Sequence, residues 1–227
     1  MHIGALGSYH LLFFGVFIPY AAIRSSRVIA TKPLPPKVKY LISQILTLLF
    51  FLLLSVLVGR KEWIALFPAE VPEPKHLLLG AAVLVALVTL MRPMWRRRVE
   101  RRARKVWLFM PRTPRERALW IACSIAAGIS EEVTYRGVMF GLLWRLTDSA
   151  SAAALIAALV FSVSHFLQGW KSMSIIFGIA LTFQMLAWFT GSLYVGMAVH
   201  ILYDVAAGLA YGWYGEKLGY PLEPLPA

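Results

Sequence analysis

The chain alternates long apolar runs with short polar breaks. With about 20 mostly apolar residues needed for one membrane crossing, seven runs qualify: about 4–23, 40–59, 76–94, 118–145, 150–168, 172–190 and 192–211. The second is the cleanest, since Tyr40 to Gly59 contains no charged residue. The third is short at its core, Leu77 to Met91, and is flanked by Lys75, His76 and Trp95. Pro33, Pro35 and Pro36 fall in the first break and Pro68, Pro72 and Pro74 in the second. There proline stops a helix without stranding backbone donors in lipid. The pattern predicts an all-α, polytopic transmembrane helix bundle of about seven spans.

Composition agrees. Of 227 residues, 59% are hydrophobic and 15% charged, against roughly 45–50% and about 25% in soluble domains. That balance excludes a disordered chain, a coiled coil, a disulfide scaffold and an ordinary water-soluble enzyme. The single Cys123 has no partner for an internal disulfide. Met1 to Gly7 carries no Lys or Arg, so the first run reads as a retained helix rather than a secretory signal.

The net charge of +12 is local rather than general. Eleven Lys/Arg against Glu100 and Glu116 between Arg92 and Arg117 give that one loop +9. A basic loop between apolar segments is an orientation signal at an anionic membrane surface, and no nucleic-acid partner is expected. The first loop carries +5 (Arg24, Arg27, Lys32, Lys37, Lys39), and in the second Arg60, Lys61 and Lys75 balance Glu62, Glu70 and Glu73. The alternation places the first and third loops in the cytoplasm, the N-terminus outside and, after seven spans, the C-terminus inside. Trp95, Trp107, Trp120, Trp144, Trp170, Tyr211 and Trp213, near span ends, are expected to be interfacial anchors.

The helices after residue 118 are rich in Gly, Ala and Ser, which lets helices approach closely. The expected organisation is therefore 1–117 as N-terminal helices and basic loop, 118–211 as a packed bundle, and 212–227 as a tail. That bundle also holds most of the buried charge. Glu131, Glu132, Arg136, His165, His200 and Asp204 lie within its spans, whereas the first half offers His10 and the neutral Gln44. A charge at the bilayer centre costs at least ~2.5–3.5 kcal/mol, so such residues face partners or a cavity.

Spacing sorts these residues. Glu131 and Glu132 are neighbours and point about 100° apart on a helix. Glu132 and Arg136 are four apart on one face and can neutralise each other, which leaves Glu131 free for a cavity. Phe161 and His165 share a face, as do His200 and Asp204. Counted from the basic end, Glu131 lies ~20 Å into its span and His165 ~8 Å into its own, so either tilted helices or a fourth span that starts nearer Cys123 is expected.

Three chemistries fit this set. A glutamate and a histidine can hold and deprotonate water while the second histidine stabilises an oxyanion. His165, His200 and a carboxylate can bind Zn²⁺ with an open position for water. Acids and histidines in a bundle also build proton relays in transporters. The clustering of polar residues in one half argues against the repeats of many carriers.

The order Glu131-Glu132…Arg136, Phe161…His165 and His200…Asp204 resembles the CPBP group of intramembrane proteases, which includes CAAX-processing endopeptidases and Abi-type bacteriocin-immunity proteins. The stretch from Gly191 to His200 is similar as well, and the likeness covers about 118–208. The resemblance implies an intramembrane endopeptidase of the bacterial plasma membrane, of glutamic or metallo type. Its substrate would be a peptide or protein with a membrane-proximal or lipidated segment. It implies that Glu131 and His165 activate water, that His200 and Asp204 sit at the oxyanion position, and that Glu132 and Arg136 hold the helix. Where Asp204 stands, the CAAX endopeptidases usually have Asn. A carboxylate repels an oxyanion, so Asp204 is expected to orient His200, to be protonated or to join a metal site. No metal is assigned; if one is used, it is Zn²⁺ on Glu131, His165 and His200. A carrier, or a non-catalytic immunity or scaffold protein of the same fold, is the alternative.

Overall fold

A computed structural model describes residues 2–68 and 71–224. Glu70 of the second loop and the last three residues of the tail lie outside the described residues. Among the described residues the chain is all helical, with no strand. The helices are α1 (Ala5–Thr31), α2 (Lys37–Lys61), α3 (Pro74–Glu100), α4 (Pro114–Glu131), α5 (Phe140–Thr147), α6 (Ala150–Ser164), α7 (Trp170–Thr190) and α8 (Leu193–Lys217). A π-helical segment, Glu132–Met139, joins α4 to α5 in one continuous rod.

Among the described residues five helices, α1, α2, α3, α7 and α8, are long and apolar enough to cross a membrane. The chain is a multi-pass integral membrane protein. α6 is apolar but has fifteen residues, about 22 Å of helix against a core of about 30 Å. Not every proline lies in a linker. Pro93 is inside α3, and Pro19 is inside α1 just after a turn widened at Phe13–Phe17. The wide turn precedes the residue that lacks an N–H for its i−4 carbonyl.

The bundle is built around the α4–π–α5 rod and α8, which pack on each other; α2 packs on α4, α3 on α8, and α6 on α1, α5 and α7. Gly128 permits a close approach of α4 to α8. A Cβ there would stand 2.5 Å from Ile201 Cγ1 and 2.9 Å from the Ile201 backbone nitrogen.

The basic loop is not simply solvated. It folds into a 3₁₀ stretch, Arg104–Phe109, whose Val106, Trp107 and Leu108 are buried with Met110 against Trp95 and Tyr211. Trp95, Trp107 and Tyr211 are therefore core residues rather than interfacial anchors. The loop closes on α3 and α8, and it covers their aromatic faces. Trp144, Trp170 and Trp213 remain exposed. Lys37 ties α2 to this cluster: its ammonium donates to Met110 O (2.9 Å) and pairs with Glu116 (3.1 Å). Glu116 caps α4 in turn, accepting from the backbone N–H of Arg112 and Thr113 while its own N–H donates to Thr113 Oγ1.

Candidate active site

Depth along the hairpin α4–π–α5–turn–α6 brings the first two residues together. Glu131 lies seventeen residues before Asp148, and His165 seventeen after it. Asp148, in the left-handed conformation (φ 52°), ends α5 and reverses the chain. Two antiparallel legs of equal length put both residues at one level, and Glu131 Oε2 lies 3.8 Å from His165 Nε2. The mismatch in depth expected from the sequence came from counting Glu131 from the basic end. The rod from Pro114 to Thr147 is far longer than a bilayer core, so the shared turn is the proper origin.

His165 lies just past the last residue of α6, and its Nδ1 is 2.8 Å from Phe161 O. A carbonyl only accepts, so Nδ1 carries the proton and, in the neutral ring, Nε2 offers a lone pair towards Glu131. The turn that follows is held from the basic side. Lys105 donates to Leu167 O at 3.0 Å, and Arg98 to Gln168 O and to Ser172 Oγ.

α8 delivers the second imidazole. His200 Nδ1 is 2.9 Å from Glu132 Oε1, and its Nε2 is 3.6 Å from Glu131 Oε2 and 3.7 Å from Asp204 Oδ2. Ionised Glu132 can only accept, so His200 Nδ1–H is the donor. Both histidines thus commit Nδ1 to a fixed acceptor and turn Nε2 to the same carboxylate oxygen. Separations of 3.6 and 3.8 Å exceed a hydrogen bond and suit a single water touching both groups.

Glu132 has a role that sequence spacing missed. Glu132 does pair with Arg136 (Nη1–Oε1, 3.3 Å), yet its shorter contact is to His200 on another helix. The same Oε1 serves both partners. Arg136 is further held over the Phe161 ring at 4.2 Å and near Phe183 at 5.5 Å. Phe161 also packs against His165, with ring centroids 4.4 Å apart and the planes tilted by 46°. All eight residues of the π segment are buried, and π turns inside α-helices are frequent at functional sites.

Glu131, His165, His200 and Asp204 line one cavity of about 350 Å³, together with Thr134, Tyr135, Tyr203 and Arg98. Thr134 was not singled out from the sequence; a buried hydroxyl on an apolar rod gives no spacing signal. Asp204 is 31% exposed against 8% for His200, and it faces the cavity while Glu132 takes the buried side of the imidazole. Among the described residues no group of three or more His, Cys, Asp or Glu converges as a metal site.

Residues 113–206 match the family described as Type II CAAX prenyl endopeptidase Rce1-like. The match spans every residue discussed in this cavity from Glu131 to Asp204, and this is the protease group that the three motifs resemble. No curated protein and no solved structure matches the chain.

Proposed function

We propose, on the premise that residues 113–206 belong to the Rce1-like CAAX endopeptidase family, that this protein hydrolyses a peptide bond with a water activated by Glu131 and His165. The observation that carries the reading is the convergence of both imidazole Nε2 atoms on Glu131 Oε2 inside one cavity. Water bound there gives a proton to the Glu131 carboxylate, with His165 Nε2 accepting its other hydrogen. The oxygen attacks the scissile carbonyl carbon. His200 Nε2, when protonated, donates to the resulting oxyanion, while Glu132 holds the opposite side of the ring. Glu131 then returns its proton to the departing amine as the C–N bond breaks.

Asp204 serves this scheme as an orienting group for His200 rather than as an oxyanion donor, because a carboxylate has no proton to offer. The catalytic bundle is 118–211 with seven spans in all, the N-terminus outside and the C-terminus cytoplasmic, in a bacterial plasma membrane. The basic loop supports that orientation. The substrate is a peptide or protein with a membrane-proximal or lipidated segment, since the cavity is lined mostly by apolar and aromatic residues on membrane helices.

Peptide cleavage by purified protein in detergent tests the reading. Glu131→Ala and His165→Ala each abolish cleavage without unfolding the protein, and exhaustive chelation leaves the wild-type rate unchanged. Cleavage retained by both variants would overturn the mechanism. A rate lost on chelation and restored by Zn²⁺ would make Glu131, His165 and His200 ligands instead.

A further inference from the structure

Hydrolysis as drawn leaves one buried titratable side chain of α1 without a task. His10 is 1% exposed. Its Nε2 lies 3.1 Å from Ser55 Oγ on α2, and Ser55 Oγ lies 2.9 Å from Thr134 Oγ1 on the π segment. Thr134 in turn lines the cavity that holds Glu131, His165 and His200. Three polar groups from three elements therefore form one row through apolar packing, and the row ends at the wall of the cavity that Glu131, His165 and His200 also line.

Each hydroxyl has one proton, so the row has a direction. If His10 Nε2–H donates to Ser55, Ser55 donates to Thr134, and the Thr134 proton is left for the cavity. The reverse row spends the Thr134 proton on Ser55 and moves the ring proton of His10 to Nδ1. That nitrogen has no hydrogen-bond partner among the described residues. Its surroundings are apolar, with Phe14 at 4.5 Å between ring centroids and Leu6, Phe13 and Leu54 lining the adjoining cavity. A buried N–H with no acceptor is rare in folded proteins, and the forward row leaves only a bare lone pair there.

We propose that Thr134 donates a hydrogen bond into the cavity to the oxygen that gains charge during hydrolysis, and that His10, acting through Ser55, keeps its proton pointed that way. Thr134 is the donor; His10 and Ser55 are positioning residues. The proposal rests on the hydrolytic reading for its effect on rate. The direction of the row stands independently of it.

Two measurements test it. The first is the ¹⁵N spectrum of the His10 ring in wild-type protein in detergent, which distinguishes the Nε2–H from the Nδ1–H tautomer and needs no turnover. The second is steady-state cleavage. A hydrogen bond to a charged oxygen is worth about 1.5–3 kcal/mol, so Thr134→Val lowers kcat about 10- to 100-fold with KM little changed, and Thr134→Ser stays within about threefold. His10→Leu and Ser55→Ala each lower kcat several-fold, His10→Gln restores most of it, and the His10→Leu/Ser55→Ala pair loses no more than either alone. An Nδ1–H tautomer, or full kcat in Thr134→Val, overturns the proposal. The Nε2–H tautomer in a wild-type protein that cleaves nothing would overturn the hydrolytic reading and leave the row in place.

Discussion

Glu131 and Glu132 adjoin in sequence and should respond in opposite ways to the same change. Glu132 is fully buried, 2.9 Å from His200 Nδ1 and 3.3 Å from Arg136 Nη1. Glu132→Gln keeps an acceptor for His200 but leaves the guanidinium uncompensated. Removing one partner of a buried pair costs ~3–5 kcal/mol. The stacking of Arg136 on Phe161 and Phe183 offsets ~1–2 kcal/mol of that. The net loss is about 1–4 kcal/mol, or roughly 5- to 900-fold in the unfolding equilibrium.

Glu131→Gln, whose nearest ionic partners are 3.6 and 3.8 Å away, changes stability by no more than about 1 kcal/mol and abolishes cleavage. Unfolding in mixed micelles of rising SDS content, followed by tryptophan fluorescence, measures the first quantity; peptide cleavage measures the second. Glu132→Gln/Arg136→Met should recover much of the loss, because the uncompensated charge is gone. Equal destabilisation by the two single variants, or full cleavage by Glu131→Gln, would refute the division of labour.

Two further outcomes follow from packing and charge. Gly128→Ala forces Ile201 on α8 away from α4 and costs about 1–3 kcal/mol; because the same contact sets the spacing between Glu131 and His200, kcat falls as well, and an unchanged kcat would detach the site from this helix pair. At the basic end, burial works against the Glu116 charge, but N–H groups from Arg112 and Thr113 and the Lys37 ammonium prevail and hold its carboxyl below the usual carboxylate range. A lowered native pKa adds stability above the ordinary glutamate range and loses it as pH falls through the lowered value. The melting curves of wild type and Glu116→Gln therefore differ at neutral pH and converge in acid; a constant gap across pH would show that the carboxylate charge is not what matters.

Much of the candidate site was legible in the chain because buried charge is costly in a membrane. Glu131, Glu132, Arg136, His165, His200 and Asp204 stood out against apolar runs, and helical periodicity put Phe161 with His165 and Glu132 with Arg136. What periodicity could not supply was the neighbour across a helix interface. The His200–Glu132 contact joins residues 68 apart, and the row from His10 to Thr134 crosses three elements. Nothing in local spacing ranks those partners above others.

The apolar segmentation by itself determined the all-helical architecture and the set of ionisable residues needing partners, because lipid leaves the backbone no other way to bond and makes each charge costly. Tertiary structure decided the rest. It set the level at which Glu131 and His165 meet, through two legs of equal residue count from Asp148, and it buried Trp95 and Tyr211 against Trp107 of the basic loop. It also gave Glu132 to His200 as well as to Arg136. A sequence states which face a side chain occupies, while the angle and offset at which two faces meet come only from close packing of the whole bundle.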